Sequence, residues 1–271
     1  SMFCNDVSFL WKIKDGSRKI LEIHFSRYKR LQYGRKGAWK LADQWRSRMD
    51  EKTVKKYACF VVLTHEDKSY WGDLPNIMVI PNAYSVGQPA PLNNKKVIAI
   101  GRYNYQKGFD YLIDAWAVIH RSQPEWKLDI IGDGEWLNRL QRQIDQHKLN
   151  HCIRLKSATS HIEDEYRQAS LLVMSSRYEG LPMVLLEAQS FGLPIVSFAC
   201  KCGPKDVITE GEDGFLVPKG SISVLADRIL KLMENEDLRK RMGETALKSS
   251  YRFMESAIMQ RWEKLFDSLG I

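Results

Sequence analysis

The fold is decided by residues 171–198, whose sequence is LLVMSSRYEGLPMVLLEAQSFGLPIVSF. Residues 171–174 and 195–198 are short and continuously apolar, which is typical of parallel strands buried on both faces. Between them the pattern predicts a helix that begins near residues 181–182 and ends before Gly192, with proline early and glycine late. This stretch therefore predicts a strand, a turn, a helix and a second strand of a parallel sheet.

The same alternation of β-branched runs and amphipathic segments extends from Lys95 to the end of the chain. Further strands are predicted at residues 97–100, 127–131, 152–155 and 214–217, and further helices at 109–119, 135–147, 223–234, 236–247 and 254–269. A parallel sheet covered by helices gives this pattern. The sequence thus predicts a complete Rossmann-like domain over residues 93–253. We expect the C-terminal helix, residues 254–271, to pack back on the N-terminal domain.

The first ninety residues contain fewer strand patterns, at residues 19–24, 59–64 and 77–80. They predict a partial Rossmann-like domain over residues 2–92, and the proline-containing segment 82–94 reads as the linker between the domains. Ser1 directly before Met2 resembles the remainder of a cleaved tag and is excluded from the interpretation. The fold class expected from the whole chain is α/β with two unequal Rossmann-like domains.

The net charge of +8 comes from the N-terminal part of the chain. Residues 1–60 contain fifteen Lys and Arg against six Asp and Glu, whereas the remainder has 26 against 27. Within residues 27–56 the basic side chains alternate with aromatic ones such as Trp39 and Trp45, which suits an anionic membrane surface. A solvated helix whose aromatic residues pack inward fits equally well. Nucleic acid is disfavoured because no recognition motif accompanies the charge.

Cysteine usage and hydropathy exclude several classes of protein. The five cysteines are scattered and odd in number, which argues against a disulfide framework. Cys200 and Cys202 lack a second ligand pair, so we expect no metal site there. The sequence has no run of eighteen apolar residues and no signal-peptide pattern. We therefore expect a cytoplasmic protein, with peripheral attachment to the inner face of the plasma membrane left open.

Two loops stand where ligands of parallel α/β sheets bind, at the carboxyl ends of strands. Residues 101–108, GRYNYQKG, contain Arg102 and Lys107, which suit a diphosphate because arginine binds as a fork and lysine as a point charge. Residues 175–182, SSRYEGLP, lead into a helix N-terminus, where free N–H groups and the helix dipole favour anions. The two loops together predict a site for a phosphorylated ligand.

Two carboxylates lie on either side of the second turn. Glu179 precedes the helix, and Glu187 lies within it beside apolar residues, where an unpaired carboxylate is costly. Hydroxyl groups of a bound sugar would explain both carboxylates. The alternative, that Glu179 caps the helix and Glu187 extends to solvent, stays open.

Residues 179–187, EGLPMVLLE, resemble the Glu, seven residues, Glu motif of retaining GT-B glycosyltransferases of glycosyltransferase family 4, the glycosyl transferases group 1. Residues 101–108 resemble the family's diphosphate-binding loop, and residues 131–134, IGDG, its second-strand signature. Residues 79–82, VIPN, resemble the end of its acceptor domain, and residues 202–204 and 211–217 its late donor-domain turns. The resemblance covers residues 19–271. It implies a GT-B fold with a complete donor domain and a truncated N-terminal domain.

The resemblance also implies roles for individual residues. Arg102 and Lys107 would hold the donor diphosphate, Glu187 the ribose hydroxyls and Glu179 the transferred sugar. Supporting donor contacts would come from Gly101, Gly180, Leu181, Pro182, Met183 and Val184. His24 corresponds to a histidine that faces the donor sugar across the cleft, although a structural role fits it equally well. Glu66 is a further cleft candidate.

The activity implied is the transfer of a sugar from a nucleoside diphosphate sugar, with retention of configuration and without a metal or a cofactor. A UDP-sugar donor and a glycan or lipid-linked acceptor in cell-surface polysaccharide synthesis are expectations from the family, with the base expected near residues 156–159. Two alternatives stay open. One is a catalytically silent donor-binding fragment, or a subunit completed by a missing N-terminal segment or a partner chain. The other is a sugar-nucleotide epimerase, which the spacing of Glu179 and Glu187 disfavours.

A dehydrogenase interpretation of the two glycines at residues 132 and 134 fails on two grounds. Leu137 stands where the third glycine of a dinucleotide-binding fingerprint is required. This turn is also the second βα turn of its domain, whereas the fingerprint belongs to the first. The glycines are more consistent with a tight turn.

Overall fold

The computed structural model describes residues 5–27 and 36–270, which form two parallel sheets. The smaller sheet has the order β1-β2-β3. It consists of β1 (Ile20–Glu22), β2 (Cys59–Val62) and β3 (Ile77–Val79). The larger sheet has the order β6-β5-β4-β7-β8-β9. It consists of β4 (Lys96–Ile100), β5 (Lys127–Ile131), β6 (Ile153–Lys156), β7 (Leu171–Met174), β8 (Ile195–Phe198) and β9 (Gly214–Val217).

Helices connect and cover these strands. They are α1 (Ala38–Val54), α2 (His65–Trp71), α3 (Phe109–Ser122), α4 (Leu137–Gln146), α5 (Ile162–Arg167), α6 (Met183–Ser190), α7 (Pro204–Val207), α8 (Ile222–Glu234), α9 (Glu236–Ser250) and α10 (Glu255–Leu269). Within the described ranges, no helix combines the length and the apolar character needed to cross a bilayer.

The larger sheet is covered on both faces, as its apolar strands predict. Successive residues of β4 point to opposite faces: Val97 belongs to the same buried cluster as Trp116 of α3, whereas Ile98 belongs to the cluster of Leu185 of α6. All of these side chains are fully buried. The predicted α/β class with parallel strands is therefore confirmed.

The C-terminal helix α10 packs against the smaller sheet. Ile258 and Leu265 of α10 share a buried cluster with Cys59 and Val61 of β2 and with Ile80. The chain thus crosses back to the N-terminal sheet after completing the larger one. The domain boundaries at residues 92 and 253 stay predictions.

The sequence interpretation misjudged the end of one strand. It placed His24 at the end of a strand covering residues 19–24, but β1 ends at Glu22, so His24 lies in the following loop. Ile23 is buried and donates its N–H to Val61, which gives the segment a strand-like pattern beyond the end of the ladder. His24 therefore lies in the loop after β1 and not in the strand itself.

Polar contacts join the two sheets at α2. Asp206 of α7 accepts hydrogen bonds from the N–H groups of His65 at 2.5 Å and Glu66 at 3.2 Å, so a residue that follows β8 of the larger sheet caps the start of α2. Next to this contact, the carboxylate of Asp67 accepts from the N–H of Arg27 at 2.8 Å and from Trp71 Nε1 at 3.2 Å. Burial raises the pKa of Asp67 to about 6.

This carboxyl predicts a specific pH dependence of stability. Its pKa in the folded chain lies above its ordinary value of 3.8, so the folded state holds a proton that the unfolded state has lost. The stabilisation is present below about pH 4 and is lost as the pH rises through 6. Asp67→Asn should therefore gain about 2.5 kcal/mol relative to the unsubstituted chain between pH 4 and 7, from a shift worth about 1.4 kcal/mol per pKa unit.

Urea unfolding at both pH values measures this difference. Asp227→Asn on the exposed face of α8 is the matched control, and it should show no such change. A difference between Asp67→Asn and the unsubstituted chain that stays constant from pH 4 to pH 7 would contradict the prediction.

Candidate functional site

The loops that follow β4 and β7 meet at the carboxyl edge of the larger sheet, as the sequence predicted. We call residues 101–108 the first loop and residues 175–182 the second loop. Arg177 donates its backbone N–H to the carbonyl of Gln106 at 2.7 Å, and the Gln106 side chain donates to the carbonyl of Tyr178 at 3.0 Å. Gly108 has a φ of 62°, and a Cβ there would lie 2.1 Å from the Ser175 carbonyl oxygen. Only glycine permits this approach.

Lys107 and Glu179 form a buried ion pair at this junction. The ammonium lies 2.8 Å from Glu179 Oε1, and Gln106 Nε2 donates to the other carboxylate oxygen at 3.2 Å. The aliphatic part of the Lys107 side chain passes close to Gly101. A Cβ at Gly101 would lie 2.8 Å from Lys107 Cε. Glu179 makes no cap of α6, whose N-cap position is Pro182 with no side-chain cap bond. The capping alternative for Glu179 is therefore wrong.

Arg102 contrasts with Lys107 because it is exposed and unengaged. In the part of the chain that the structure describes, its guanidinium makes no hydrogen bond or ion pair. It lines a cavity of ≈ 500 Å³ together with Gly101, Gly132 and Thr159. An arginine without a carboxylate partner at the mouth of a cavity is free to bind an anion.

Glu187 is held inside the site rather than pointing freely into solvent. Its carboxylate accepts a hydrogen bond of 2.5 Å from the hydroxyl of Tyr166 in α5. Burial raises the pKa of Glu187, while the Tyr166 hydroxyl and the charge of Lys107 oppose that rise. The alternative that Glu187 extends to solvent is therefore wrong.

Tyr166 is a site residue that sequence reasoning missed. It is fully buried and stacks on Phe191, with ring centroids 5.2 Å apart and an angle of 11° between the planes. The short helix α5 that carries it was not predicted. A buried aromatic in a six-residue helix gives only a weak signal in sequence, because most such residues are core residues.

Arg177 fastens the first loop to the second. Its guanidinium makes a two-fold ion pair with Asp110, at 2.9 and 2.6 Å, and donates to the carbonyl of Tyr105 at 2.8 Å. It also lies 4.2 Å from the ring centroids of both Tyr105 and Tyr111. The sequence interpretation quoted Arg177 within the second loop but gave it no role.

The N-terminal candidates His24 and Glu66 lie against the second loop and against α7, respectively. A Cβ at Gly180 would lie 3.0 Å from the carbonyl oxygen of His24, so the His24 backbone touches the second loop directly. The His24 imidazole is 53% exposed and lies 3.5 Å from Glu22. Glu66 accepts a hydrogen bond of 2.7 Å from Tyr70, and its carboxylate lies 3.9 Å from Lys205 of α7. His24 and Glu66 thus lie where the two sheets meet.

The basic segment from residue 27 to residue 56 is described in part, since residues 28–35 lie outside the described residues. Its helix α1 exposes Trp39 and Trp45 at 63% each, together with Leu41 and Met49. The alternative in which the aromatic side chains pack inward is therefore wrong for both tryptophans.

The two parallel α/β sheets are consistent with the GT-B fold of glycosyltransferases, and the cationic loops and the two carboxylates lie at the carboxyl edge of the larger sheet. Residues 83–249 match the family described as glycosyl transferases group 1, and the chain belongs to that family. The matched region contains both loops, Glu179 and Glu187.

Relatives and solved structures agree with this assignment. The chain is 33% identical over 222 residues to the amylovoran biosynthesis glycosyltransferase AmsD of Erwinia amylovora, covering 76% of this chain and 61% of that protein. A Staphylococcus aureus TarM variant, crystallised with fondaparinux, alpha-GlcNAc-glycerol and UDP, superposes with a TM-score of 0.82 at 24% identity, over 93% of this chain and 51% of TarM.

HepE from Anabaena, in complex with UDP and glucose, superposes with a TM-score of 0.79 at 19% identity, over 92% of this chain and 71% of HepE. These likenesses confirm the predicted GT-B fold. The chain thus spans between half and three-quarters of the length of these proteins.

Proposed function

We propose that this chain supplies the donor site of a retaining, family 4 glycosyltransferase that moves a sugar from a UDP-sugar to a glycan or lipid-linked acceptor in cell-surface polysaccharide synthesis. One observation carries the proposal: the unengaged Arg102 and the buried Lys107–Glu179 pair lie at one carboxyl edge. The relative named for amylovoran biosynthesis and the neighbours crystallised with UDP support it.

The donor diphosphate binds between the two loops in this account. Arg102 binds it from the cavity, and Lys107, whose side chain passes beside Gly101 of the same cavity lining, is the second cation. Met183 and Val184 are the first two residues of α6, so their N–H groups have no partner within the helix and suit phosphate oxygens. Leu181 and Pro182 set the direction in which α6 begins.

The two carboxylates bind hydroxyl groups. Each oxygen of Glu179 accepts one hydrogen bond from protein, from Lys107 or Gln106, and a carboxylate oxygen has room for a second. Hydroxyls of the transferred sugar fill these positions beside Gly180. Glu187 uses Oε2 for Tyr166 and keeps Oε1 for the ribose. The base lies in the cavity lined by Ala158 and Thr159.

The chemistry is stabilisation of the leaving group. As the bond from the sugar to the diphosphate loosens, negative charge develops on phosphate oxygens, and fixed cations already aimed at them lower the barrier. Arg102 and Lys107 supply two positive charges, so we propose that the reaction uses no metal ion and no cofactor. His24, whose backbone touches the second loop, approaches the sugar from the other domain.

A second candidate is a donor-binding subunit that a partner chain completes. The chain spans 61% of AmsD and 51% of TarM, and β1 is an edge strand in the described part of its sheet. A GtfA/B complex is among its structural neighbours, with a TM-score of 0.74 at 24% identity. In this case the chain binds the donor but transfers sugar only in the complex.

Calorimetry with UDP and GDP, followed by turnover of a panel of UDP-sugars, tests both candidates. UDP binding with transfer, retained anomeric configuration by proton NMR, and rates after EDTA treatment that added Mg²⁺ or Mn²⁺ does not raise would support the first. UDP binding without turnover favours the subunit. Absence of UDP binding contradicts both candidates. Inversion of configuration contradicts retention, and an activity lost in EDTA that Mg²⁺ or Mn²⁺ restores contradicts a metal-independent reaction.

We further propose that the protein is cytoplasmic and attaches peripherally to the inner face of the membrane through residues 27–56. Leu41, Trp45 and Met49 are spaced four residues apart and form one exposed stripe on α1, with Arg48 and Lys52 beside it. Co-sedimentation with phosphatidylglycerol vesicles should fall in Trp45→Ser and in high salt. Equal binding to phosphatidylcholine vesicles would contradict an anionic target.

A further inference from the structure

A group of three side chains lies at the amino-terminal edge of the larger sheet, opposite the candidate donor site. His120 is near the end of α3, and His151 and Cys152 immediately precede β6. Across residues 5–27 and 36–270, this is the one set of three or more His, Cys, Asp or Glu residues whose potential ligand atoms all lie within 4.8 Å of one another. None of the three belongs to the proposed donor site.

The two imidazoles face each other directly. Their Nε2 atoms are 2.8 Å apart, and their ring centroids are 4.5 Å apart. The other ring nitrogen of His120, Nδ1, is buried without a hydrogen-bond partner among the described residues. Buried polar atoms are nearly always paired. The His120 imidazole thus has more hydrogen-bonding capacity than its surroundings satisfy, which leaves it able to bind a further ligand.

The donor set identifies that ligand as a metal ion of borderline softness. Two imidazole nitrogens and a thiolate are typical ligands of Zn²⁺. Tetrahedral bonds of about 2.0 Å to nitrogen and 2.3 Å to sulfur put ligand atoms roughly 3.3 to 3.6 Å apart, so small movements complete the geometry. Cys152 is buried and His151 exposed, which leaves a fourth position for water on the solvent side.

Lys127 places a positive charge next to this group. Its ammonium donates to the carbonyl of His151 at 3.2 Å. This charge opposes a bound cation, and burial raises the pKa of the Cys152 thiol although Lys127 acts against that rise, so the ion itself must displace the thiol proton. Because the imidazoles are neutral and the thiolate carries one negative charge, a bound Zn²⁺ leaves a local excess of positive charge, which favours an anionic or water ligand in the open position.

We infer that His120, His151 and Cys152 bind Zn²⁺ and thereby tie the end of α3 to the start of β6. Binding forms two Zn–N bonds and one Zn–S bond, and the thiol proton of Cys152 is released to solvent. The ion stabilises the domain and takes no part in sugar transfer, since it lies at the opposite edge of the sheet.

Titration of the chain with Co²⁺ tests the assignment by absorption spectroscopy. We expect a thiolate-to-cobalt charge-transfer band in the near ultraviolet and visible bands of a tetrahedral site, both lost when Zn²⁺ is added in excess. Cys152→Ala should lose the near-ultraviolet band, and His151→Ala should bind Co²⁺ at least about tenfold more weakly. The matched control is His161→Ala, an exposed histidine outside the group, which should titrate like the unsubstituted chain.

Thermal unfolding gives an independent readout. Zn²⁺ at a hundred times its Kd should raise the Tm by about 5 °C in the unsubstituted chain and leave His151→Ala unchanged. His151 is exposed, so this variant is expected to fold even if Cys152→Ala does not. No Co²⁺ thiolate band, a band that survives in Cys152→Ala, or an equal Tm rise in His151→Ala would overturn the inference. UDP affinity should be equal in all these variants.

Discussion

Replacing Lys107 by alanine is expected to lower kcat/KM by about a hundredfold or more, as the loss of a preorganised charge stabiliser does in other enzymes. The ammonium binds the diphosphate in our account, and it also neutralises Glu179 at 2.8 Å. Its removal therefore takes away an attraction and leaves an unpaired buried carboxylate next to the phosphates. Should the chain act as a subunit without turnover, UDP affinity measured by calorimetry should fall about tenfold or more.

Two comparisons make this test specific. Lys248→Ala removes an exposed lysine of α9 and should change neither turnover nor UDP affinity. Adding Glu179→Gln to Lys107→Ala removes the repulsion between the carboxylate and the phosphates but does not restore the attraction of the ammonium. The double variant should therefore recover UDP affinity only in part. A Lys107→Ala protein with unchanged turnover and unchanged UDP affinity would refute the donor site as described.

The second large effect is expected on stability, from Arg177→Ala. The Arg177 side chain is 10% exposed and pairs with an Asp110 side chain that is 16% exposed, so the substitution leaves a largely buried carboxylate without its cation. Breaking such a pair costs about 3–5 kcal/mol. The loss of contact with Tyr105 also releases the first loop, so UDP affinity should fall together with the free energy of unfolding.

Urea unfolding at pH 7 checks this expectation. Arg167→Ala is the matched control, because Arg167 pairs with Glu163 and Asp164 on the surface of α5 and should cost less than about 1 kcal/mol. In a double-mutant cycle, Arg177→Ala and Asp110→Ala should show strong coupling. Equal and small losses for Arg177→Ala and Arg167→Ala would show that the buried pair contributes nothing particular.

The sequence was sufficient where local pattern determines structure. β7 and β8 are largely apolar runs covered on both faces of the sheet, and they were predicted at their observed bounds. The rule that ligands bind at the carboxyl ends of parallel strands then placed the first and second loops together. The spacing of Glu179 and Glu187 was enough to identify both as site candidates, since one lies in the turn before α6 and the other within α6.

Contacts between distant segments were beyond sequence reasoning. Lys107 and Glu179 are 72 residues apart, and Arg177 and Asp110 are 67 apart. No spacing rule relates such residues, because their meeting depends on how two loops pack after the sheet has formed. The metal cluster has the same origin: His120 and His151 are 31 residues apart, and no recognised ligand spacing connects them.

The central claim is that the carboxyl edge of the larger sheet binds a nucleoside diphosphate. Arg102 tests it most directly because its guanidinium makes no hydrogen bond or ion pair among the described residues. The measurement is calorimetry of UDP and of uridine with the unsubstituted chain and with Arg102→Ala. We expect one UDP per chain, an affinity about tenfold or more weaker in Arg102→Ala, and equal uridine affinities in both proteins. UDP binding that is absent, or equally strong in both proteins, would contradict the account.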